Sequence, residues 1–301
     1  MYILYHANCL DGTTAAWCYW RIYGYDATFK PVTYSTMEKV FFSLAESATE
    51  TDEYGNQFIF LDLNVDRCLP QAIKYKKQNG PASILIVDHH VSNNRNENIP
   101  EGVTVVSDLK RSTCNITFHM LNPQEKNIPL LVAYTDDYDM WKNKLPFTFE
   151  VSAYLNYCTD KTMEEWDWLN ANYLKSLPTE DSRIVREGAY HLERIKKYTR
   201  RVTSNINYVK ILNEIVPAVK AYKHKSEVCM ELKKLFGDAF PFYAAYSPSG
   251  RKNGQVHISL RSASPNVDVS AIASKYGGGG HRTASAFIVA ETVFYRDMLV
   301  A

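Results

Sequence analysis

The sequence predicts an α/β protein, with an N-terminal domain built on a mostly parallel sheet and a smaller C-terminal α/β domain. Three short apolar segments in the first ninety residues each end in acidic or imidazole residues, and helix-like stretches separate them. Their hydrophobicity is continuous rather than alternating, which is typical of parallel strands buried on both faces. A second set of strand and helix patterns follows a heavily charged stretch. At 301 residues the chain is long enough for two domains.

The N-terminal elements alternate between strand and helix. Strands are predicted at 2–6, 58–62 and 84–88, and helices at 12–23, 36–48 and 66–79. Right-handed crossovers place such strands side by side, and ligands of these sheets bind beyond the carboxyl ends of the strands. A further helix is predicted from Pro129 to Asp137. Its terminal carboxylates oppose the helix dipole and therefore indicate a bound cation.

The charged stretch from 179 to about 202 has apolar residues at helical spacing and is predicted to be a solvated linker helix. We place the N-terminal domain at residues 1–185, the linker helix at 186–205 and the C-terminal domain at 206–301. Strands of the last domain are predicted at 207–211, 216–222, 240–246, 255–261 and 284–289, and helices at 225–236 and 267–276. We expect a cleft between the two domains.

Composition excludes several classes of protein. Lys and Arg number 34 against 33 Asp and Glu, so the net charge of +1 argues against a uniformly basic coat for long duplex nucleic acid. The longest apolar runs are strand-sized, and the N-terminus lacks the basic start of a signal peptide. The six cysteines are scattered without a C-x-x-C pair. We therefore expect a soluble cytoplasmic protein with reduced thiols and no membrane partner.

The side chains at the predicted strand ends are ones that bind divalent ions such as Mn²⁺. Enough of them are present for two adjacent metal sites that share a carboxylate: His6, Asp11, Asp62, His89 and one of Asp136 and Asp137. Two ions about 3.5–4 Å apart stabilise the attacking and leaving oxygens of phosphate-ester hydrolysis and acidify bound water. Without cations these carboxylates would repel one another. The sequence leaves open which of the adjacent acids Asp136 and Asp137 binds metal, and Asp139 is interpreted as a structural neighbour.

The run from Gly277 to Gly280 suits a phosphate, because glycines adopt positive φ and let backbone N–H groups approach an anion. A basic pair follows it at once, and an arginine ends the preceding strand. A plain turn between helix and strand is the alternative. We expect substrate contacts from Gly278, Gly279, Gly280, His281, Arg282 and Arg261, and from Ser112, for which helix capping is the alternative.

Asp88, His89 and His90, placed directly after a hydrophobic strand, resemble the signature of the DHH phosphoesterase superfamily. Segments 5–16, 60–62 and 134–137 resemble its first, second and fourth motifs. Segment 277–286 resembles the glycine-rich motif of the accompanying DHHA1 substrate domain. The ordered set covers nearly the whole chain, so the resemblance implies that fold and its activity on phosphate esters.

The resemblance also implies roles for individual residues in a centre of two Mn²⁺ ions. His6 would bind one ion, and Asp62 would bridge both. The second ion would be held by Asp11, His89 and Asp137. Mg²⁺, Zn²⁺ and Fe²⁺ are alternatives to Mn²⁺.

The resemblance also implies two catalytic roles, and at one position the sequence departs from the superfamily's pattern. His90 would contact a substrate phosphate or the leaving oxygen, and Asp88 would orient an imidazole. Cys9 stands where the superfamily often has a second carboxylate. As a thiolate ligand it would favour Zn²⁺ or Fe²⁺, and as a neutral thiol it would leave the first site weak.

The resulting hypothesis is a metal-dependent phosphodiesterase that hydrolyses short oligonucleotides or small nucleotides through activated water, as nanoRNases and phosphatases of adenosine bisphosphate do. Two alternative enzyme activities are those of a cyclic-dinucleotide phosphodiesterase and of a RecJ-like single-strand exonuclease. The alternative that is not an enzyme is a protein that binds a nucleotide without cleaving it. The sequence leaves the oligomeric state open, a homodimer included.

Overall fold

The computed structural model describes residues 1–34, 36–47, 56–65, 73, 82–90, 99, 101–248 and 254–300. The chain divides into two compact units, Met1–Leu192 and Glu193–Ala301, and both contain helices and a sheet. The predicted α/β class is confirmed. None of the described helices combines the length and apolar character that crossing a bilayer requires.

The first unit is built on a five-stranded sheet in which all neighbouring strands run parallel. The strands are β1 (Tyr2–His6), β2 (Thr28–Val32), β3 (Asn56–Leu61), β4 (Ala82–Asp88) and β5 (Val103–Ser107). Their order is β2-β1-β3-β4-β5, so the three predicted strands lie side by side at the centre. The two edge strands were not predicted. β2 carries Lys30 and Pro31, residues that are tolerated at an edge because one side of the strand needs no sheet partner.

The helices of the first unit follow the sheet in chain order. They are α1 (Leu10–Tyr23), α2 (Met37–Ser47), α3 (Thr113–Leu121), α4 (Leu130–Asp139), α5 (Thr148–Tyr157) and α6 (Met163–Asn172), with α7 (Arg183–Val202) extending into the second unit. The helix predicted for 66–79 falls outside the described residues apart from residue 73, which is helical.

Alternate residues of the central strands pack into two separate apolar clusters. Ile3 and Ile59 belong to the cluster that contains α1, whereas Leu4 and Phe58 belong to the cluster that contains Phe41 of α2. Both faces of the sheet are therefore buried, which accounts for the continuous hydrophobicity of these strands.

The second unit contains a seven-stranded mixed sheet in the order β10-β11-β9-β8-β7-β6-β12. The strands are β6 (Ile206–Ile211), β7 (Glu214–Lys220), β8 (Phe242–Pro248), β9 (Gln255–Ser262), β10 (Gly279–His281), β11 (Ala284–Ala290) and β12 (Leu299–Val300). β7 and β8 are parallel, and the other neighbouring strands are antiparallel. The helices α8 (Lys225–Phe236) and α9 (Val269–Ser274) pack against this sheet. Residues 249–253, between β8 and β9, lie outside the described residues.

The helix predicted as a linker is α7, and the division between the two units falls inside it. Its first turn is not solvated, because Ile184 and Val185 are buried in the core of the first unit. The functional division of the chain into a catalytic and a substrate-binding domain stays a prediction.

Candidate metal centre

Three adjacent parallel strands end at the same edge of the first sheet with polar residues. His6 is the last residue of β1, Asp62 follows β3, and His89 follows β4. Helix α1 begins at the same edge, with Asp11 in its first turn. Except for the exposed part of His6, these side chains are nearly or fully buried. The structure thus brings together four of the residues expected to bind metal.

A first group of ligand atoms is formed by His6, Cys9 and Asp62, all within 4.8 Å of one another. His6 Nδ1 lies 3.2 Å from Asp62 Oδ2. Tyr34 borders this group, with its ring centroid 5.2 Å from that of His6, and no sequence pattern singled it out. Asp62 has a left-handed backbone, with φ of 58°, a conformation that costs a non-glycine residue energy and that clusters at functional sites.

A second group is formed by Asp11, His89 and Asp139, whose ligand atoms also lie within 4.8 Å of one another. His89 Nε2 lies 3.7 Å from Asp11 Oδ2 and 3.3 Å from Asp139 Oδ2. It also lies 3.7 Å from Asp62 Oδ1. Asp62 therefore directs Oδ2 toward the first group and Oδ1 toward the second.

Backbone N–H groups of helix α3 hold the carboxylate of Asp11. Thr113 donates to Asp11 Oδ2 and Cys114 donates to Asp11 Oδ1, each over 2.7 Å. The positive end of the α3 dipole stabilises the charge of this carboxylate. Burial nevertheless raises the pKa of Asp11, and the nearby Asp62 raises it further, against the opposing effect of His89.

Asp88 holds the ring of His90. The Nδ1 atom of His90 lies 2.6 Å from Asp88 Oδ1, and Asp88 is fully buried at the end of β4. Burial lowers the pKa of His90, but the charge of Asp88, the hydrogen bond to it and the charge of Asp62 together raise this pKa to about 9. The geometry places the ring so that its other nitrogen, Nε2, faces away from Asp88.

Asp136 does not join either group. Asp136 Oδ1 accepts a 2.9 Å hydrogen bond from the backbone N–H of Ser112, and Oδ2 pairs with Lys142 Nζ at 2.5 Å. Both oxygens are thus engaged by the protein itself.

Asp137 is likewise engaged elsewhere. It accepts hydrogen bonds from the backbone N–H groups of Lys144 and Leu145 and from the hydroxyl of Thr148. These donors outweigh burial and lower the pKa of Asp137. Its carboxylate fixes the loop between α4 and α5.

The structure therefore groups Asp139, rather than the expected Asp136 or Asp137, with Asp11 and His89. Metal binding by any of these acids stays a prediction. Asp139 Oδ2 is buried and accepts no hydrogen bond from the described residues. Asp139, interpreted from the sequence as a structural neighbour, is the last residue of α4. The sequence signal for this arrangement was the pair of lysines that follows. Lys142 pairs with Asp136, and the backbone N–H of Lys144 donates to Asp137.

The buried charges of the centre shift one another's pKa values. Burial lowers the pKa of His89, but hydrogen bonding to Asp62 and the charges of Asp11 and Asp139 raise it to about 10. Burial and the charge of Asp11 raise the pKa of Asp139 to about 8. Burial, Asp62 and Asp139 raise the pKa of the Cys9 thiol. Such crowding of acidic groups is what a cation relieves.

Ser112 lies beside the second group rather than in it. It is fully buried and occupies the N-cap position of α3, yet its side chain makes no capping hydrogen bond. The Asp11 carboxylate satisfies the first N–H groups of that helix instead. Ser112 Oγ lies 3.2 Å from Cys114 Sγ.

In the second unit, the glycine run forms a tight hairpin with β11 instead of an open loop. β10 pairs antiparallel with β11, and a Cβ at Gly278 would overlap the carbonyl oxygen of Ala286. Only Gly277 and Gly280 have positive φ, at 73° and 137°, whereas Gly279 has open space around it. Close packing thus explains Gly278 without a ligand.

The two arginines of the predicted substrate site have structural partners. Arg282 donates to the carbonyl oxygens of Pro265 and Asn266 and pairs with Asp268, so it holds the loop before α9. Arg261 donates to the carbonyl oxygen of Leu260 and the hydroxyl of Ser226. His281 ends β10 and is half-buried. Their contact with a substrate stays a prediction.

No protein-family model matches the chain. An uncharacterized protein of Acanthamoeba polyphaga mimivirus is 25% identical over 94% of the chain. The chain spans 66% of the length of that viral protein.

Several solved structures resemble the chain. A DHH domain described as a member of the s1p family of ribosomal proteins has a TM-score of 0.64 and 15% identity, covering 97% of this chain and 83% of that one. RecJ of Thermus thermophilus, in complex with Mn²⁺, has a TM-score of 0.54 and 14% identity, covering 98% of this chain and 50% of that one. An exopolyphosphatase-related protein of Bacteroides fragilis has a TM-score of 0.51 and 14% identity, over 95% of this chain and 85% of that one. With Asp88, His89 and His90 at the centre described above, the chain has the fold of the DHH superfamily.

Proposed function

We propose that the protein is a hydrolase of phosphate esters that depends on divalent cations and acts on short oligonucleotides or small nucleotides. One observation carries the proposal: Asp62 directs one oxygen toward His6 and the other toward His89. A carboxylate shared by two groups of ligands is the arrangement that two adjacent ions require for displacement at phosphorus.

The donor atoms fit divalent cations. Asp139 Oδ2 is buried without a hydrogen bond among the described residues, and a cation would satisfy it. Oxygen ligands with some imidazole suit Mn²⁺, the ion that we propose for the second group. The residues that would hold the ions are His6, Cys9 and Asp62 in the first group, and Asp11, His89, Asp139 and again Asp62 in the second. When bound, such ions stabilise charge on a phosphate ester and acidify water.

His90 would supply a proton to the reaction. Its Nδ1 is held by Asp88, and its Nε2 would face a substrate oxygen. The charge of Asp88 raises the pKa of this imidazole, which favours its protonated form. A protonated imidazole at that position donates a proton to the leaving oxygen, as a general acid does.

The substrate class follows from charge and from the second unit. A net charge of +1 favours a substrate with few phosphates, because long phosphate tracts demand many cationic contacts. We propose that Arg261 and His281 contact a terminal phosphate or a nucleotide end. The names of the RecJ and exopolyphosphatase-related structures support action on phosphoesters or phosphoanhydrides. Hydrolysis of cyclic dinucleotides, exonuclease activity on single strands, and binding without hydrolysis are the other outcomes of the test.

The test is hydrolysis by the full-length protein in Mn²⁺. The substrates are RNA and DNA dinucleotides, adenosine bisphosphate, cyclic dinucleotides and single-stranded DNA. We expect turnover of the short linear substrates, its loss with EDTA, and its recovery on adding back divalent cations. The His89→Ala variant should lose more than a hundredfold in kcat while staying folded, whereas His119→Ala on helix α3 should match the wild type. Turnover that survives thorough chelation, or activity of His89→Ala equal to that of the wild type, would overturn the proposal.

Arg261→Ala tests the proposed contact of the second unit with substrate. We expect KM to rise about tenfold or more with kcat changed less, because a residue that binds substrate equally well in ground and transition states acts through KM. An unchanged KM would remove Arg261 from the proposed site.

A further inference from the structure

Cys9 occupies an unusual place for a cysteine of this chain. Cys18 and Cys114 are buried in the apolar core of the first unit. Cys9 is only half-buried, and its Sγ atom lies within 4.8 Å of ligand atoms of His6 and Asp62. Among the described cysteines, Cys9 alone shares a group with both an imidazole and a carboxylate.

The local backbone fixes this placement. Cys9 is the N-cap residue of α1, with extended φ and ψ of −104° and 134°. Asn8 before it has a left-handed φ of 59°, which turns the chain between the end of β1 and the start of α1. The turn leaves His6 and Cys9 on the same side, facing Asp62.

The spacing of the three ligand groups suits one small ion. Ligands about 2.1 Å from a tetrahedral Zn²⁺ ion stand about 3.4 Å apart, and a thiolate at about 2.3 Å stands slightly farther. His6 Nδ1 and Asp62 Oδ2 are 3.2 Å apart, close to one edge of such a tetrahedron. All three donor atoms lie within the 4.8 Å that a common ion allows.

We propose that the centre is chemically asymmetric and takes two different kinds of cation. The group of His6, Cys9 and Asp62 selects a thiophilic cation such as Zn²⁺, Fe²⁺ or Co²⁺, bound through Cys9 Sγ. The group of Asp11, His89 and Asp139 lacks sulfur and accepts a harder ion such as Mn²⁺. The reason is that thiolates select soft and borderline metals, whereas carboxylates suit Mn²⁺ and Mg²⁺. This inference rests on the proposed function, because the same residues form the proposed catalytic centre.

The first experiment titrates Co²⁺ into the full-length protein after chelation. We expect about one equivalent of Co²⁺ to produce the intense near-ultraviolet band of a sulfur-to-Co²⁺ charge transfer. Cys9→Ser should lose this band, and Cys158→Ser, at another half-buried cysteine of the same unit, should keep it. Bound Co²⁺ without the band, or a band that survives in Cys9→Ser, would overturn the inference.

A second experiment measures selectivity by equilibrium dialysis against Zn²⁺ and Mn²⁺ together, with elemental analysis of the protein. We expect wild type to retain both metals. In Cys9→Asp, the ratio of bound Zn²⁺ to Mn²⁺ should fall at least tenfold, because the sulfur ligand is replaced by a carboxylate. An unchanged ratio would show that Cys9 does not select the ion.

A third measurement needs no variant and therefore holds even if Cys9 variants misfold. Alkylation of the wild type by iodoacetamide is followed at Cys9 and Cys158 by mass spectrometry. Zn²⁺ should slow the modification of Cys9 at least tenfold, Mn²⁺ should not, and Cys158 should respond to neither. Equal modification of Cys9 with and without Zn²⁺ would contradict sulfur ligation.

Failure of this inference and failure of the proposed function are distinguishable. If Cys9 binds Co²⁺ but no phosphate ester is hydrolysed, the inference stands and the proposed function falls. If Mn²⁺ alone supports hydrolysis and Cys9 gives no sulfur signal, the function stands and the inference falls.

Discussion

Asp139 Oδ2 lies 3.3 Å from His89 Nε2, which joins the C-terminal end of α4 to the carboxyl end of β4. On the other side of the ring, His89 Nδ1 lies 3.3 Å from the sulfur of Met140. Consecutive residues at the end of α4 thus contact both nitrogens of one imidazole. The contact directs Nε2 toward the carboxylates, which is the orientation that a metal ligand needs.

Asp139→Asn should weaken Mn²⁺ binding at least tenfold, because an amide replaces a buried anionic oxygen of the second group. The thermal unfolding midpoint of the metal-free variant should equal or exceed that of the wild type, since removing one of several crowded carboxylates relieves repulsion. Titration calorimetry and thermal unfolding in EDTA measure the two effects. Unaltered Mn²⁺ affinity would exclude Asp139 as a ligand.

Asp137→Ala should lower the stability of the protein and leave Mn²⁺ binding nearly unchanged. It removes the acceptor of Thr148, Lys144 and Leu145, and we expect a loss of about 2–3 kcal/mol in the free energy of unfolding. Urea denaturation of the metal-free protein measures this loss. At temperatures where the variant is folded, its Mn²⁺ affinity should stay within about threefold of wild type. A folded Asp137→Ala protein that no longer binds Mn²⁺ would return Asp137 to the ligand set.

Gly12→Ala should damage both stability and metal binding. A Cβ at this position would lie 2.8 Å from the carbonyl oxygen and 2.9 Å from the Cβ of His6, so α1 would have to move away from β1. We expect a cost of about 1–3 kcal/mol, although Ala favours a helix over Gly elsewhere. The displacement separates His6 from Asp11 and should weaken Mn²⁺ binding several-fold.

Gly188→Ala is the matched control for Gly12→Ala. Its Cβ would overlap the backbone of Glu150, so it should also destabilise the first unit, but through the contact of α7 with α5. Its Mn²⁺ affinity, measured on folded protein, should equal that of the wild type. Equal loss of affinity in the two variants would mean that lowered stability, rather than the shift of His6, weakens binding.

Asp268→Ala should destabilise the second unit in a way that depends on pH. Asp268 caps α9 by accepting hydrogen bonds from Ser270 and from the backbone N–H of Ala271, and the Ser270 hydroxyl contributes most to lowering its pKa. A carboxylate whose pKa is lowered by folding stabilises above its unfolded value of about 3.9 and ceases to do so as the pH falls through the lowered value.

We therefore expect Asp268→Ala to cost about 1 kcal/mol at pH 7 and progressively less below pH of about 4. Urea denaturation of both proteins at pH 7 and pH 3 measures the difference. Asp297→Ala serves as the control, because Asp297 is exposed and pairs with the neighbouring Arg296 in a surface contact of little energy. A difference between wild type and Asp268→Ala that is the same at both pH values would contradict the capping role.

The central part of the fold could be predicted from sequence because its signal is local. Continuous apolar runs ending in His6, Asp62 and Asp88 indicate buried parallel strands, and their shared edge follows from the topology of such sheets. The edge strands carry a weaker signal, since β2 is half-exposed and contains Lys30 and Pro31.

Two features of the candidate site depend on contacts that sequence spacing does not encode. Hydrogen bonds from the loop between α4 and α5 hold Asp137 away from the second group, whereas Asp139 lies beside His89. The conformation of the glycine run is decided by the pairing of β10 with β11, which leaves no space for a side chain at Gly278.

The ligand atoms of the centre are distributed from His6 near the N-terminus to Asp139, with two strand ends contributing between them. During synthesis, the complete ligand set cannot assemble until Asp139 has left the ribosome, however early the first strands pair. A nascent chain arrested before that point can present at most an incomplete centre. Any cation that needs the complete ligand set can therefore be bound only after residue 139 has emerged.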